Sequence, residues 1–474
     1  MSNLTDIEFN QNSLEDWQAL ATKSLHDKSL AELAHITASA LPIETLYTTR
    51  PKVTQSVPAQ ALQRWDNRLN VIGGTVELQN ASVLSSLKGG VDSLQILIDS
   101  PEQPSPINVD QLSTVLANVQ QDIIPISLFS GSQFVKSTNE IKSIWSKLGI
   151  DSNKLSVSIN ADPIGTLAST GCLSVELNAL IKDMASLAIE NHESLLKIRS
   201  VCVNSTCYHN AGATIEQELA STIATAAIYL ENLIDAGLDP QSANDTIVFQ
   251  VACDADALSN VVKLRALKQL WIHVAKQFDV TAPHLQLVVE TSKRMQSSRA
   301  PWVNHLRNVS AATAAAMGGA NSIIIHPHNC IDDQFIDDQI ELSARVARNI
   351  PIILSEESAM TFVHDPMAGS YAVETLTTNL VNSSWQSLQQ LETDGGLVKA
   401  LSTGQWQTAI GASQRNRIER LKHEQDILVG VNKFHGVTTT PPNKMPINKT
   451  KQNNKLLVNV QPLAVNRDAI EFED

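Results

Sequence analysis

The sequence predicts an α/β fold: a (β/α)8 TIM-type barrel carrying an N-terminal helical arm and an extended C-terminal tail. Three observations predict it. Short β-branched or leucine-rich runs alternate with amphipathic stretches, the pattern of βα units around a parallel sheet. Eight such runs follow one another, and eight regular units over roughly 250 residues suit a closed barrel better than an open doubly wound sheet. Aromatic residues are only 4% of the chain while 43% is hydrophobic, so the core is built from Leu, Ile, Val and Ala.

The arm, residues 1–50, reads as one or two helical pieces; Ser13 stands ahead of Glu15 and Asp16, a capping serine before acidic first-turn residues that complement the helix dipole. The barrel is expected over residues 51–358, with 51–90 mixed and strands from about 94. The runs are 94–98 (LQILI), 123–129 (IIPISLF), 155–160 (LSVSIN), 200–204 (SVCVN), 246–252 (TIVFQVA), 285–290 (LQLVVE), 322–326 (SIIIH) and 351–354 (PIIL). Between them, stretches such as 214–233 and 255–276 repeat apolar residues at three and four, as helices do. Gly318-Gly319 reads as a helix stop, because a phosphate cradle would sit at a helix N-terminus. A helical region follows over 359–430, and residues 431–474, rich in Pro, Asn, Lys and Thr, read as an extended tail.

A net charge of −14 over 474 residues argues against a nucleic-acid footprint, which needs a basic face, and against an anionic membrane surface. The five cysteines (Cys172, Cys202, Cys207, Cys253, Cys330) are odd in number and contain no C-x-x-C, so they read as reduced thiols of a cytoplasmic protein. No apolar run reaches 18 residues, and the acidic N-terminus does not look like a secretory signal.

In a barrel, chemistry sits where strands end. Those positions hold Asp99, Ser130, Asn160, Asp162, Asn204 to Cys207, His209, Asp254, Glu290, Thr291, His326, His328 and Ser355 to Glu357. His326 and His328, two apart on a strand, would point the same way and could bind a metal with Asp254 or Glu290. The plainer reading is a pair of hydrogen-bonded strand-end histidines. Cys207 and His209 could be nucleophile and base, although neighbours two apart on a loop rarely meet.

Several collinear motifs resemble the methylmalonyl-CoA mutase family over roughly residues 13–434. Leu46-Tyr47-Thr48 is similar to its P-L-Y-T element, with Thr45 in place of the proline. Tyr208-His209-Asn210-Ala211-Gly212-Ala213-Thr214 resembles its A-G-A-T helix start, in the form of the family's small subunits. Asn304-His305-Leu306-Arg307 with Gly318-Gly319 and Ser322, then Ala344 to Asn349, Glu357-Ser358, Asp365-Pro366 with Gly369-Ser370-Tyr371, and Gly430 to Phe434 continue in order. Tyr47, Arg68, His209, Asn210, Arg307 and Glu357 are the motif positions expected to line a pocket.

The departures fall at the chemistry. Where the family's catalytic chain carries Tyr-His ahead of A-G-A-T, this sequence has Thr206-Cys207. Asn160 stands for the pocket glutamine, and Asn70 for the tyrosine of W-x-x-R-Q-Y, whose tryptophan and arginine survive as Trp65 and Arg68. None of the 12 histidines has an aspartate two residues before it, so the D-x-H-x-x-G loop that ligates cobalamin has no counterpart, and no cobalamin domain is expected after the barrel. The resemblance implies a non-catalytic small subunit that pairs with a catalytic large chain. Adenosylcobalamin is expected on that large chain, and acyl-CoA substrate is reached through the complex. Two alternatives stand beside it: an active acyl-CoA mutase half served by a separate cobalamin-binding chain, and a metal-dependent barrel hydrolase.

Overall fold

The structure is a computed structural model. It describes residues 12–26, 29–37, 39, 41–49, 51, 64–71, 75–102, 105, 107–151, 154–194, 198–331, 337–435 and 458–473. At its centre is a closed barrel of eight parallel strands: β1 (Asp66–Val71), β2 (Ser93–Leu97), β3 (Ile126–Phe129), β4 (Val157–Ala161), β5 (Ile198–Asn204), β6 (Ile247–Cys253), β7 (Gln286–Thr291) and β8 (Ser322–Ile324). Each strand pairs with the next in sequence, and β8 returns to β1 through Ser322 on Asp66 and Ile323 on Asn67.

Helices follow the strands. Helix α1 (Leu14–Ser24) precedes the barrel, then come α2 (Val76–Lys88), α3 (Phe134–Leu148), α4 (Leu177–Glu193), α5 (Ile215–Asp235), α6 (Ala257–Gln277), α7 (Val303–Met317) and α8 (Asp337–Glu356). A single turn, Leu112–Val115, takes the helix position after β2. Local chemistry marks the ends: Thr214 opens α5 with a capping box to Gln217, Asp256 caps α6, and Gly149 closes α3 in a left-handed conformation. Two more long helices, α9 (Tyr371–Thr393) and α10 (Gln405–Lys422), follow the barrel, and α9 packs across α5 and α6 as an outer layer.

Seven of the eight expected runs are barrel strands; the eighth is not. Residues 351–354 lie inside α8, where Ser343, Ala347, Ile350, Pro351 and Leu354 are buried at helical spacing. The missing strand is β1, so strands begin at 66 rather than near 94. It was hidden because Asp66, Arg68 and Asn70 occupy one of its faces, and alternation with so polar a face does not read as hydrophobic.

The apolar core lies in the shell between strands and helices. Ile96, Ile159 and Phe249 point outward into it, with Phe249 edge-on to Trp271 of α6 at 5.0 Å between ring centroids. Among the described residues, no helix is long and apolar enough to cross a membrane.

Candidate functional site at the carboxyl end of the barrel

Strand alternation gives this barrel an unusual interior. TIM-type barrels fill their lumen with branched aliphatic side chains. Here the side chains opposite the outer shell are Asp66, Arg68 and Asn70 on β1, Ser93 and Gln95 on β2, Ser127 on β3, Ser158 and Asn160 on β4, and Arg199, Cys202 and Asn204 on β5. Val248, Val288 and Ile324 form a small apolar cluster of their own on the remaining wall, apart from the main core. Above that cluster, Gln250 donates to Glu290 (3.1 Å), and His326 Nε2 faces the same carboxylate at 3.7 Å.

The expected site residues on β1, β4 and the turn after β5 fall at or near the lumen. Arg68 donates Nε to Ser93 (3.0 Å) and approaches Asp66 (3.5 Å); burial lowers its pKa against the pull of Asp66. Asn160 adopts φ +51°, and its amide donates to Ser127 Oγ (2.7 Å) and to the Leu128 carbonyl (3.0 Å). Asn70 is half-buried on β1. After β5 the chain turns into a short helix, Thr206–Ala211, rather than a loop. Thr206 is anchored through its N–H and hydroxyl to Asn204 Oδ1 (3.1 and 2.7 Å). The Cys207 thiol points back to the Asn204 carbonyl at 3.9 Å, and burial pushes its pKa well up, so it is a poor nucleophile.

His209 lies on another face of that helix and does not meet Cys207. Its Nε2 is 2.8 Å from Ser292 Oγ and its Nδ1 is 3.3 Å from Glu218. Burial, with the cations of Arg294 and Lys263 nearby, lowers its pKa to about 4, so the ring is neutral at pH 7, with Nδ1 donating to the carboxylate and Nε2 accepting from the serine. Lys263 reaches Glu218 (3.1 Å) and the Ala252 carbonyl (2.5 Å). Arg294 pairs with Asp254 (3.0 Å), and despite its burial the Asp254 carboxyl is held far below the usual range by Arg294 and the other cations. Two acids, two bases and a neutral histidine thus form one buried network under the β5, β6 and β7 ends. Asn210 joins it by accepting from the Lys293 and Arg294 backbone N–H groups (3.1 and 3.2 Å).

A protein-family model described as methylmalonyl-CoA mutase matches residues 105–474. The chain belongs to the methylmalonyl-CoA mutase family. It is 32% identical over 431 residues to the methylmalonyl-CoA mutase small subunit of Streptomyces virginiae, covering 90% of this chain and 68% of that one. Against the small subunit of Propionibacterium freudenreichii subsp. shermanii it is 30% identical over 375 residues, 79% of this chain and 57% of the relative. Against the methylmalonyl-CoA mutase of Cereibacter sphaeroides it is 25% identical over 492 residues, 96% and 69% respectively. The chain therefore spans little more than half to two thirds of these relatives' lengths.

The remaining family-motif positions scatter. Arg307, on α7, donates to Asn304 (2.6 Å) and to the Val429 carbonyl (2.7 Å), which ties the mouth to the segment after α10; burial lowers its pKa to about 10. Tyr47 donates nothing into the lumen; its hydroxyl accepts from the Glu44 N–H (3.0 Å) within the arm. Ser355 and Glu356 close α8 at the opposite end of the barrel, and Glu357 follows it there, exposed. Their place in the strand-end ring fell with the eighth run. The His326 and His328 pair also parts, since β8 ends at Ile324 and strand alternation no longer holds. His326 faces Glu290, whereas His328 turns to Ser343 Oγ (2.8 Å) and stacks on Trp302 (4.8 Å between centroids). Among the described residues no three potential metal ligands converge.

Sequence reasoning missed Arg294, Lys263 and Glu218, whose positions on a strand-end turn and on helices carry no motif. It also missed how residues 458–473 meet the mouth. A mid-helix lysine surrounded by apolar residues, as in VVKLRAL, was the available signal.

Proposed function

We propose that the chain is the non-catalytic small subunit of an adenosylcobalamin-dependent methylmalonyl-CoA mutase, supporting a large chain that interconverts (R)-methylmalonyl-CoA and succinyl-CoA in the cytoplasm. The observation that carries this reading is the turn after β5. Position 207, where the catalytic pattern needs an imidazole to hold a thioester, carries a thiol turned to the Asn204 carbonyl at 3.9 Å. The one nearby imidazole, His209, is 2% exposed and saturated by Ser292 and Glu218.

The residues present do not fit adenosylcobalamin. An axial ligand needs an accessible imidazole nitrogen, yet His209, His326 and His328 are 2%, 1% and 3% exposed and turned to Ser292, Glu218, Glu290 and Ser343, and the half-buried His305 packs on the rings of Trp302 and His328. The cofactor therefore belongs to the partner in this reading, and no step is assigned to it here.

Partnering is supported by the arm. Helix α1 is capped by a reciprocal Ser13–Asp16 box, yet none of its residues is buried. Leu14, Trp17 and Leu20 are 41%, 36% and 66% exposed, an apolar stripe that suits a large chain's surface.

A second reading, an active acyl-CoA mutase half working with a separate cobalamin chain, draws on the polar lumen, which a purely structural barrel does not need. One experiment separates them: co-expression with a large mutase chain, followed by purification and turnover assays on each component. The expected result is a stable complex in which all activity tracks the large chain, while this chain with added adenosylcobalamin forms no succinyl-CoA. Turnover by this chain with only a free-standing cobalamin-binding chain would sink the structural-subunit reading.

A further inference from the structure

We infer that residues 458–473 form a releasable strap over the β4, β5 and β7 side of the barrel's carboxyl-end mouth, so that anything entering on that side must first displace it. The strap begins at the loop after β4, where Val458 and Asn459 pair antiparallel with Leu173 and Cys172, and the Val460 N–H donates to the Gly171 carbonyl (2.6 Å). It runs on through Leu463 N–H to Ala168 O (2.8 Å) and Asn466 N–H to Asn210 O (2.8 Å), crossing the short helix after β5. It ends over the loop after β7, with Asp468 N–H donating to Arg294 O (2.9 Å) and the Ser298 N–H donating to Glu473 (2.7 Å). Arg467 stands close enough to Cys330, after β8, to influence its thiol.

The attachment is polar. Of the strap's apolar side chains Leu463 and Ala469 are buried and Val458 and Val460 pack against the core, while Val465 and Ile470 are 52% and 44% exposed. The latch is ionic and polar: Arg417 Nε donates to Asp468 (2.8 Å), and Glu473, braced within the strap by Arg467 (2.6 Å), accepts from Ser297 Oγ (3.1 Å). A segment held mainly by a hydrogen-bond line and one ion pair, with few buried apolar side chains, opens at lower free energy than the barrel wall. The body of the protein is shaped to receive it. Gly171 sits at φ +73°, and a Cβ there would lie 2.4 Å from the Val460 carbonyl oxygen.

The five free cysteines make the test. Cys172 pairs with the strap, Cys330 is within electrostatic reach of Arg467, and Cys207 shares a helix face with Asn210 and Ala211, which the strap touches; Cys202 and Cys253 are fully buried in strands β5 and β6. In the full chain, iodoacetamide labelling is followed cysteine by cysteine by mass spectrometry, in the natural protein, in Asp468→Asn with Glu473→Gln, and separately in Gly171→Ala. Labelling of Cys172, Cys207 and Cys330 is expected to rise at least about fivefold in both variants, with Cys202 and Cys253 unchanged. In the natural protein, the amides of Val460, Leu463 and Asn466 are expected to exchange at least about tenfold faster than those of β5 and β6. Strap amides that exchange only in step with β5 and β6, or labelling that rises equally at all five thiols or at none, would overturn the inference.

Discussion

The arm at residues 12–49 and the strap at residues 458–473 both lie outside the barrel's strand order, yet they meet the body of the protein in different ways. The arm holds a well-capped helix that buries none of its side chains. The strap has almost no regular structure, but its backbone N–H groups bond to the loops after β4, β5 and β7. An 11-residue helix is marginal in water on its own. Among the described residues the arm's helix has no buried side chain, although Thr37 and Leu41 farther along the arm are buried, whereas the strap's contacts run along its whole length. A regular helix can thus bury nothing in its own chain, while an irregular segment is tied along its length to the chain's own mouth.

The largest test of this contrast is at the strap's anchor. Asp254→Ala leaves Arg294 buried without its carboxylate, beneath the carbonyl that receives Asp468 N–H. Such a loss is expected to cost about 3–5 kcal/mol in urea unfolding. A cost under about 1 kcal/mol would show that the network is not what fixes this rim.

Acid comes next. His209 has its folded pKa lowered to about 4 from a reference of 6.5. The unfolded chain then binds the extra proton between these values, so stability rises with pH across that window and is lost as pH falls from 6.5 towards 4. The full shift corresponds to about 3 kcal/mol. Asp162, raised to about 6 by burial against hydrogen bonds from Tyr229, Gly165 and Asn204, acts in the opposite direction over part of the same range. The informative quantity is therefore the natural protein minus His209→Gln, whose difference in unfolding free energy is expected to shrink as pH drops. A pH-independent difference would mean that folding leaves the pKa of this ring unshifted, against the burial that should lower it.

The smallest effect on the isolated chain is expected in the arm. Leu14→Ser with Trp17→Ser and Leu20→Ser should move its unfolding free energy by less than about 0.5 kcal/mol, since surface changes rarely do more. The same variant should weaken capture of a large mutase chain by about tenfold or more, read by titration calorimetry. Unchanged affinity would place the interface elsewhere.

Much of the fold was legible. Runs such as 246–252 and 285–290 are almost wholly apolar because their outer faces meet helices and a few lumen positions are also aliphatic. Strand β1 was illegible for the opposite reason, as its inward residues Asp66, Arg68 and Asn70 are polar. The run at 351–354 misled because four apolar residues in a row look alike in a strand and in a buried helix; only the longer spacing of Ser343, Ala347, Ile350 and Leu354 separates them. At the site, the motif turn at Tyr208 to Thr214 was visible, and so was the replacement at Cys207. The partners of His209 were not, because Glu218, Asp254, Lys263, Ser292 and Arg294 lie on different elements.

By itself the sequence determined the barrel class, the family resemblance and the loss of the imidazole at position 207, because each is written in local pattern and residue identity. Tertiary structure alone decided that the lumen is polar, that His209 is neutral within a charged network, and that residues 458–473 lie across the mouth. Those facts depend on which side chains closure of the barrel brings within a few ångströms, and contacts between distant residues leave no period in a single sequence.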